Sequence, residues 1–275
     1  MTSAQPAADT DLVRQLVTGP LDVEGRLPSA SNLTVRCTLV GTDLRCVYKP
    51  TVGERPLWDF PDGTLGRREV ATYCLANAVG WPVVPLTVWR EDGPLGPGMC
   101  QLWLDGTPDQ TTDQTADQAP DQVLVDIVPS QQIPPGWLHV FDGIDQAGQE
   151  VSLIHADRVD LQQIVLLDAI VNNADRKGGH LLLDAEGRAV GIDHGVTFAA
   201  SDKLRTVLWG WAGTPIPSSL INDLQRGFDA VCALELVGLS SIERHAMRSR
   251  LETLLAEPVF PLPTDEWPSI PWPIF

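Results

Sequence analysis

The sequence predicts a two-lobed α+β protein in which a small, antiparallel β-rich lobe precedes a mainly helical lobe. Short apolar segments separated by turn residues dominate the amino-terminal part of the chain. A four-residue Asp-Gln repeat at 109–122 then interrupts the apolar pattern. Helical periodicity is clearest after this repeat, at 157–171, and continues at 217–237 and 241–256. The predicted organisation is a tail with a short helix (1–20), a first lobe (21–108), an acidic linker (109–122), a second lobe (123–257) and a Pro/Trp-rich tail (258–275).

The predicted first lobe is an antiparallel meander followed by a helix and two more strands. A short helix at 11–18 begins with an aspartate and precedes the meander. Turn residues at 29–32 and 41–43 separate the three strands of the meander. The strands cover 21–27, 33–40 and 44–49, and the elements that follow are a helix over 64–75 and strands over 83–89 and 98–104.

The charge of the chain argues against several classes of partner. The formal net charge is −17 at pH 7, whereas nucleic acids and anionic membranes are bound by basic surfaces. There is no uninterrupted apolar run of about 18 residues, and no basic start followed by an apolar core. We therefore expect a cytoplasmic protein without stable membrane association. The five cysteines are scattered and odd in number, which argues against a disulfide framework and a zinc site.

The segment 172–195 is predicted to carry the catalytic chemistry. Two apolar runs flank a polar turn at 184–188 that contains a glycine, a pattern typical of a β-hairpin. Asp175 precedes the first strand and Asp193 follows the second, so the hairpin brings both carboxylates to one edge. Together with His180 they could hold a divalent metal ion and accept a proton. Alternatively, both aspartates are ordinary turn residues.

A cation and an acid in the first lobe indicate a phosphate site. Lys49 ends an otherwise apolar strand, and Glu69 lies on the helix that follows it. Such a lysine can hold a phosphate when an acid on a neighbouring helix orients it. Both residues also fit ordinary surface roles, Lys49 at a sheet edge and Glu69 in an i, i+4 charge pair.

These motifs resemble those of the phosphatidylinositol 3- and 4-kinase-like family, a branch of the protein-kinase-like fold. VYKP at 47–50 resembles the strand with the ATP-binding lysine, and REV at 68–70 resembles the helix whose acid pairs with it. ADR at 174–176 resembles the start of the D-R-x-x-x-N catalytic loop, and IDHG at 192–195 resembles the D-F-G metal motif. Soluble kinase-like proteins of actinobacteria have similar motifs. The resemblance covers roughly 21–256 and implies a two-lobed protein-kinase-like fold with a catalytic hairpin.

The resemblance implies ATP and either Mg²⁺ or Mn²⁺ as cofactors, and it gives each matching residue a role. The implied catalytic residues are Asp175, which accepts the proton of the attacking hydroxyl or positions it, Arg176, which braces the loop or the transferring phosphate, and Lys49. The implied metal ligands are Asp193 and His180. The implied nucleotide-binding residues are Ser29, Ala30, Ser31 and Asn32 over the phosphates, Lys49 and Glu69 at the α- and β-phosphates, and Gln101, Leu102 and Trp103 at the adenine.

Two positions depart from the family pattern. His180 stands where the second metal ligand is normally Asn, and His194 stands where the D-F-G motif has Phe. Because Mg²⁺ prefers oxygen ligands, His180 is expected to bind Mn²⁺ or a phosphate, or Asn172 or Asn173 supplies the missing ligand. These departures leave a non-catalytic nucleotide-binding module as an alternative.

The acceptor is expected to be a hydroxyl group of a soluble small molecule, because the acidic chain has no basic amphipathic helix for a lipid surface. The resemblance suggests myo-inositol or a related polyol. The candidate acceptor-binding residues are Lys177, Lys203, Arg205, Trp209 and Trp211. The two tryptophans also fit plain packing in the core. Two rival activities stay open: a protein Ser/Thr kinase like the HipA-type toxins, and a metal-dependent hydrolase built on the same aspartates and histidines.

Overall fold

A computed structural model describes residues 10–28, 32–55, 57–58, 60, 64–104, 123–264 and 268–275. It shows an antiparallel sheet lobe and a largely helical lobe, which confirms the predicted two-lobed α+β class. The predicted phosphate turn at Ser29, Ala30 and Ser31 and the acidic linker at 109–122 lie outside the described residues. No helix in the described part of the chain is long and apolar enough to cross a membrane.

The first lobe is built on a five-stranded antiparallel sheet. Its strands are β1 (Leu21–Arg26), β2 (Val35–Leu39), β3 (Arg45–Pro50), β4 (Thr87–Arg90) and β5 (Gly98–Leu102). They lie in the order β1-β2-β3-β5-β4, and the first three form the predicted meander. Because β3 is in the middle of the sheet, Lys49 lies opposite Met99 of β5 and not at a sheet edge.

The sheet separates two helices. On one face, Leu16 of α1 (Thr10–Thr18) packs with Tyr48 and with the buried thiols of Cys46 and Cys100. The second helix, α2 (Leu65–Val79), also contacts β4 and β5. Because successive side chains of a strand point to opposite faces, Lys49 points away from this small core and toward α2. All five cysteines of the chain are free thiols.

The second lobe contains a three-stranded antiparallel sheet that is absent from the sequence prediction. Its strands are β6 (Val125–Pro129), β7 (Trp137–Ile144) and β8 (Glu150–Ala156). β8 lies between the other two, and its residues 152–155 are all buried, whereas β7 is mostly half-buried or exposed. β7 has no regular alternation of apolar and polar residues, and in β8 the alternation breaks after residue 153, so neither strand has the full pattern of a half-buried strand. The second lobe is therefore less purely helical than predicted.

Three helices and a hairpin complete the second lobe. They are α3 (Val159–Val171), the hairpin strands β9 (Leu181–Leu183) and β10 (Ala189–Gly191), α4 (Ser218–Cys232) and α5 (Ser241–Ala256). α3 runs through the main core, where its residues 164–171 are all buried. It ends at Asn172, whose left-handed backbone (φ 54°) turns the chain into the loop that contains Asp175. The loop that contains Asp175 therefore starts directly from a helix that is anchored in the core.

Candidate active site

Lys49 lies between two carboxylates that come from distant parts of the chain. Its Nζ is 2.8 Å from Oε1 of Glu69 and 2.8 Å from Oδ1 of Asp193. Glu69 belongs to α2, on the face of the sheet toward which Lys49 points, and Asp193 follows β10. The structure therefore brings together three of the residues that the sequence singled out.

The two carboxylates share one ammonium group but lie in different surroundings. The side chain of Glu69 is 2% exposed, whereas that of Asp193 is 49% exposed. Burial raises the pKa of Glu69 to about 7, against the opposing charge of Lys49. The charge of Lys49 lowers the pKa of Asp193 below its usual range. Burial acts against the charge on Lys49, but the two carboxylates outweigh it and raise the pKa of the amine. At neutral pH Lys49 is charged and Asp193 is ionised.

His180 connects the two aspartates of the hairpin. Its Nδ1 lies 2.9 Å from the carbonyl oxygen of Asp175, and because a carbonyl only accepts, Nδ1 carries the proton of this contact. Its Nε2 lies 3.5 Å from Oδ2 of Asp193. Burial lowers the pKa of His180 and favours the neutral ring, in which Nε2 has a lone pair. A lone pair and a carboxylate oxygen that face each other in this way suit a shared cation.

Asp193 has a backbone conformation that is rare for a residue with a side chain. Its φ is 57°, in the left-handed region. Such conformations cost energy and cluster at functional sites, where the surrounding structure maintains them. The strained backbone turns the carboxylate of Asp193 to Lys49 on one oxygen and to His180 on the other.

Asp175 presents a partly exposed carboxylate in the loop before β9. Its backbone N–H donates to the side-chain oxygen of Asn173 at 3.0 Å, which fixes the start of the loop. Its Oδ2 lies 3.3 Å from Nζ of Lys177, and its side chain is 29% exposed. This combination leaves the carboxylate accessible to a bound hydroxyl group and places a cation beside it.

Two asparagines that could have replaced the missing metal ligand are used as braces instead. The side-chain amide of Asn172 donates to two carbonyl groups in the segment after Asp193 and accepts from the N–H of Lys203. The amide of Asn173 donates to Asp168. Both side chains are buried, so neither fits the expected role as a metal ligand.

Arg176 is fully buried and braces the catalytic loop. It donates through Nε and Nη2 to both carboxylate oxygens of Asp168, at 2.8 and 2.9 Å. Its other three N–H groups donate to the carbonyl groups of His180 and Ile192 and to Nε2 of His194. A guanidinium group has five N–H donors, and all five are accounted for. Of the two roles expected for Arg176, the geometry fits bracing of the loop and not contact with a phosphate.

Arg68, the neighbour of Glu69, fastens α2 to the second lobe. Its Nη1 donates to the carbonyl of Thr197 and its Nη2 donates to Oε1 of Glu243, both at 2.6 Å. Glu243 also caps α5, where its other oxygen accepts from the backbone N–H and the hydroxyl of Ser240. Arg68 is therefore a positioning residue for Glu69, a role that the REV motif at 68–70 did not indicate.

The adenine contacts expected from the sequence do not fit the structure. Gln101 is buried in β5 and its amide donates to the hydroxyl of Thr87. The backbone N–H groups of Leu102 and Trp103 donate to carbonyl groups of the same sheet lobe. The side-chain oxygen of Asn32, expected over the phosphates, accepts a hydrogen bond from the backbone N–H of Arg55. None of these donors is directed at a nucleotide.

The two candidate tryptophans of the acceptor site are core residues. Trp209 and Trp211 are 8% and 6% exposed. The indole N–H of Trp209 donates to the carbonyl of Ser269, and that of Trp211 donates to Asp157. Trp211 also stacks on Phe260. No indole face is left for a polyol, so the alternative of plain packing describes these residues.

The candidate cations of the acceptor site lie in three different settings. Nζ of Lys203 lies 4.6 Å from the centre of the Trp58 ring. The guanidinium of Arg205 donates to the carbonyl of Ala174. Lys177 lies beside the carboxylate of Asp175. Of the three, Lys177 has the setting that best suits an anionic or polar acceptor.

One functional residue could have been found from the sequence. Asp168 is a carboxylate in the middle of the apolar run 164–171, and it is fully buried. Such a residue needs a paired cation, and Arg176 follows it by eight residues. The carboxylate in the apolar run of α3 therefore predicts a buried cation nearby, and Arg176 is that cation.

The antiparallel sheet lobe, its helix with a Lys49–Glu69 ion pair and the helical lobe that contributes Asp193 define the class of the protein: a two-lobed α+β protein in which carboxylates from both lobes bind one lysine. No family model matches the chain. The chain belongs to the same family as "Protein Rv2133c" of Mycobacterium tuberculosis, with 46% identity over 266 residues that cover 94% of each chain. That name states no activity.

A solved structure shows a more distant similarity. It is a proinflammatory kinase of Helicobacter pylori, CtkA, with 9% identity and a TM-score of 0.44 over 88% of this chain and 94% of that one. A similarity of this size supports no assignment, and the class stated above rests on the contacts within the chain.

Proposed function

We propose that the protein is an ATP-dependent phosphotransferase that acts on a hydroxyl group of a soluble small molecule. The observation that carries the proposal is the position of Lys49, held at 2.8 Å by both Glu69 and Asp193. An ammonium group has three N–H donors, and the two carboxylates account for two of them. The third can bind a phosphate oxygen of ATP, which is the role of such a lysine in kinase sites.

Asp175 is the proposed proton acceptor. In the transfer, the acceptor oxygen forms a bond to the γ-phosphorus, the bond between that phosphorus and the ADP oxygen breaks, and the hydroxyl proton passes to the carboxylate of Asp175. Its partial exposure supports this role, because a buried and fully hydrogen-bonded carboxylate has no place for a new proton. Lys177, whose Nζ lies 3.3 Å from Oδ2 of Asp175, places a cation beside the site of proton transfer.

Asp193 and His180 are the proposed ligands of a divalent metal ion. Oδ2 of Asp193 and Nε2 of His180 lie 3.5 Å apart, which fits two neighbouring ligands of one ion. When bound, such an ion would neutralise charge on the ATP phosphates. The nitrogen ligand favours Mn²⁺ over Mg²⁺, since Mg²⁺ prefers oxygen.

The proposal of a soluble small molecule as the acceptor rests on the net charge of the chain and on Lys177 beside Asp175. A net charge of −17 disfavours docking on an anionic membrane and supports a soluble acceptor. A polyol such as myo-inositol has the required hydroxyl groups and is the first compound we propose to assay. The packing of Trp209 and Trp211 gives no support to this narrower choice.

The test is the release of ADP from ATP with Mg²⁺ or Mn²⁺, with and without myo-inositol, for the parent chain and two variants. Asp175→Asn and Asp193→Asn should each lower turnover by about 10²-fold or more. Asp229→Asn, an exposed aspartate on α4, serves as the matched control and should leave turnover unchanged. ATP binding without turnover would instead indicate a nucleotide-binding module. Transfer of the γ-phosphate of ATP to a serine or threonine of a protein would indicate a Ser/Thr kinase.

A further inference from the structure

We propose that the carboxy-terminal strap, residues 258–275, positions the catalytic loop, with Phe275 as the positioning residue. The strap is described at 258–264 and 268–275. Its last residues contact the loop between Asp175 and His180, which are the two residues to which we assign proton transfer and metal binding. The proposal rests on the proposed function for its catalytic consequence, but the contact itself does not.

The contact is made to a glycine. The backbone N–H of Gly178 donates to the carbonyl of Ile274 at 2.8 Å. The ring of Phe275 lies directly on the α-carbon of Gly178, because a β-carbon added there would be 2.5 and 2.7 Å from two ring carbons. No side chain could occupy this position without moving the ring. The neighbouring Gly179 is also close to Phe275, since its added β-carbon would meet the backbone of that residue at 3.7 Å.

The strap reaches the loop already anchored to the second lobe. Phe260 is buried, stacks on Trp211 and exchanges backbone hydrogen bonds with residues 213 and 214. The carbonyl of Ser269 accepts hydrogen bonds from the backbone of Thr206 and from the indole of Trp209. The contacts of Phe260 lie outside the catalytic loop, whereas Thr206 also pairs with Arg176 at the start of that loop. The strap is therefore held in place at Phe260 independently of the loop and can act as a support.

The loop needs such a support because two adjacent glycines form its centre. Glycine has more backbone freedom than any other residue, so its ordering costs more conformational entropy. Lys177 and His180 flank the pair, and their side chains lie beside Asp175 and Asp193. Backbone motion at Gly178 and Gly179 therefore displaces the side chains of Lys177 and His180. The strap restricts this freedom with one hydrogen bond and one packed ring.

The exposure of Phe275 makes the idea testable without unfolding the protein. The residue is 49% exposed and belongs to no buried core cluster, so removal of its ring should leave the fold intact. A support and a gate predict opposite results. If the ring holds the loop, its removal slows turnover; if the ring blocks the entry of an acceptor, its removal speeds turnover.

The experiment compares Phe275→Ala with Leu262→Ala, a truncation of an exposed apolar residue on the same strap. Amide hydrogen exchange of the loop 176–181 is measured first, in the full chain without nucleotide. We expect exchange about tenfold faster in Phe275→Ala and unchanged in Leu262→Ala, because the loop opens locally. Phe275→Leu, which keeps an apolar contact, should restore most of the protection. Equal exchange in all four proteins would overturn the proposal.

The second measurement on the same proteins is the steady-state rate of ADP release from ATP. We expect kcat of Phe275→Ala to fall about tenfold, since small displacements of catalytic groups are costly, while KM for ATP changes less than about twofold. Lys49 and Glu69 are untouched, which is why nucleotide binding should be preserved. A rise in kcat would show that the ring is a gate and would overturn the positioning role. If the parent chain turns over no ATP, the proposed function fails, whereas the exchange measurement still decides whether the strap supports the loop.

Discussion

The amine of Lys49 lies 2.8 Å from a carboxylate oxygen of Asp193, although 144 positions separate the two residues in the chain. One comes from the central strand of the first lobe and the other from the turn after the hairpin of the second lobe. The contact therefore joins the lobes at the proposed site of phosphoryl transfer.

The pH dependence of stability should reveal the raised pKa of Glu69. A carboxyl group with a pKa of about 7 in the folded state and an ordinary value in the unfolded state stabilises the fold at low pH. This stabilisation is lost as the pH rises toward 7. The free energy of unfolding of the parent chain, compared with Glu69→Gln, should therefore fall by roughly 2 kcal/mol between pH 5 and pH 8. Urea unfolding at several pH values gives the measurement.

The comparison with Glu69→Gln is needed because buried histidines act in the opposite direction. Burial lowers the pKa of His155, His180 and His194, so they add stability that is lost as the pH falls. Both proteins contain these histidines, and their effect cancels in the difference. A difference that does not vary with pH would show that Glu69 is ionised throughout this range.

Glu243→Gln should loosen α2 at the point where Arg68 reaches the second lobe. The substitution removes the charge opposite a guanidinium group that is 5% exposed, but it keeps an oxygen for the cap of α5. We expect a loss of about 1–2 kcal/mol in the free energy of unfolding and a higher KM for ATP.

The matched control is Glu252→Gln, on the same helix. Glu252 pairs with Arg248, and both side chains are about half exposed, so its loss should cost less than about 0.5 kcal/mol. Equal costs for the two variants would mean that the Arg68–Glu243 contact contributes no more than a surface pair.

Arg176→Lys should strongly destabilise the folded protein although it keeps the positive charge. Lysine has three N–H donors and no planar fork, so at least two of the five acceptors around Arg176 lose their partner. Unsatisfied buried groups cost about 1–3 kcal/mol each, and we expect a total loss of about 3 kcal/mol in urea unfolding. Arg248→Lys, at an exposed pair, should change stability by less than about 0.5 kcal/mol. A similarly small effect at Arg176 would argue against the buried network.

His180→Asn should change the choice of metal. The amide oxygen of asparagine suits Mg²⁺ better than an imidazole nitrogen does, so the ratio of turnover with Mn²⁺ to turnover with Mg²⁺ should fall by about tenfold. The affinity for Mn²⁺, measured by electron paramagnetic resonance of the free ion, should fall in parallel. An unchanged metal preference would show that His180 is not a ligand.

The sequence predicted the centre of the site because local patterns determine it. Lys49 was found at the end of an otherwise apolar strand, Glu69 on the helix that follows, and Asp193 after a hairpin with a recognisable turn. Each of these elements is short, and its position in the fold follows from its neighbours along the chain. The antiparallel meander needed no long-range information either.

What the sequence did not predict depends on partners far away in the chain. The sequence left Trp209 and Trp211 open between acceptor binding and plain core packing, and the choice depends on the strap and Asp157, which accept hydrogen bonds from their indoles. The role of Arg68 depends on Glu243, 175 positions later. The sheet of β6, β7 and β8 was not predicted because its central strand is buried on consecutive residues and its alternation breaks after residue 153.

The two oxygens of Glu243 have separate duties, one toward Arg68 and the other toward the start of α5. The contact with Arg68 can be lost without the other, because water can solvate the freed oxygen while Ser240 keeps its hydrogen bonds to the second one. The first turn of α5 therefore does not depend on whether Arg68 is bound, and a change at the start of α2 is not passed on to α5.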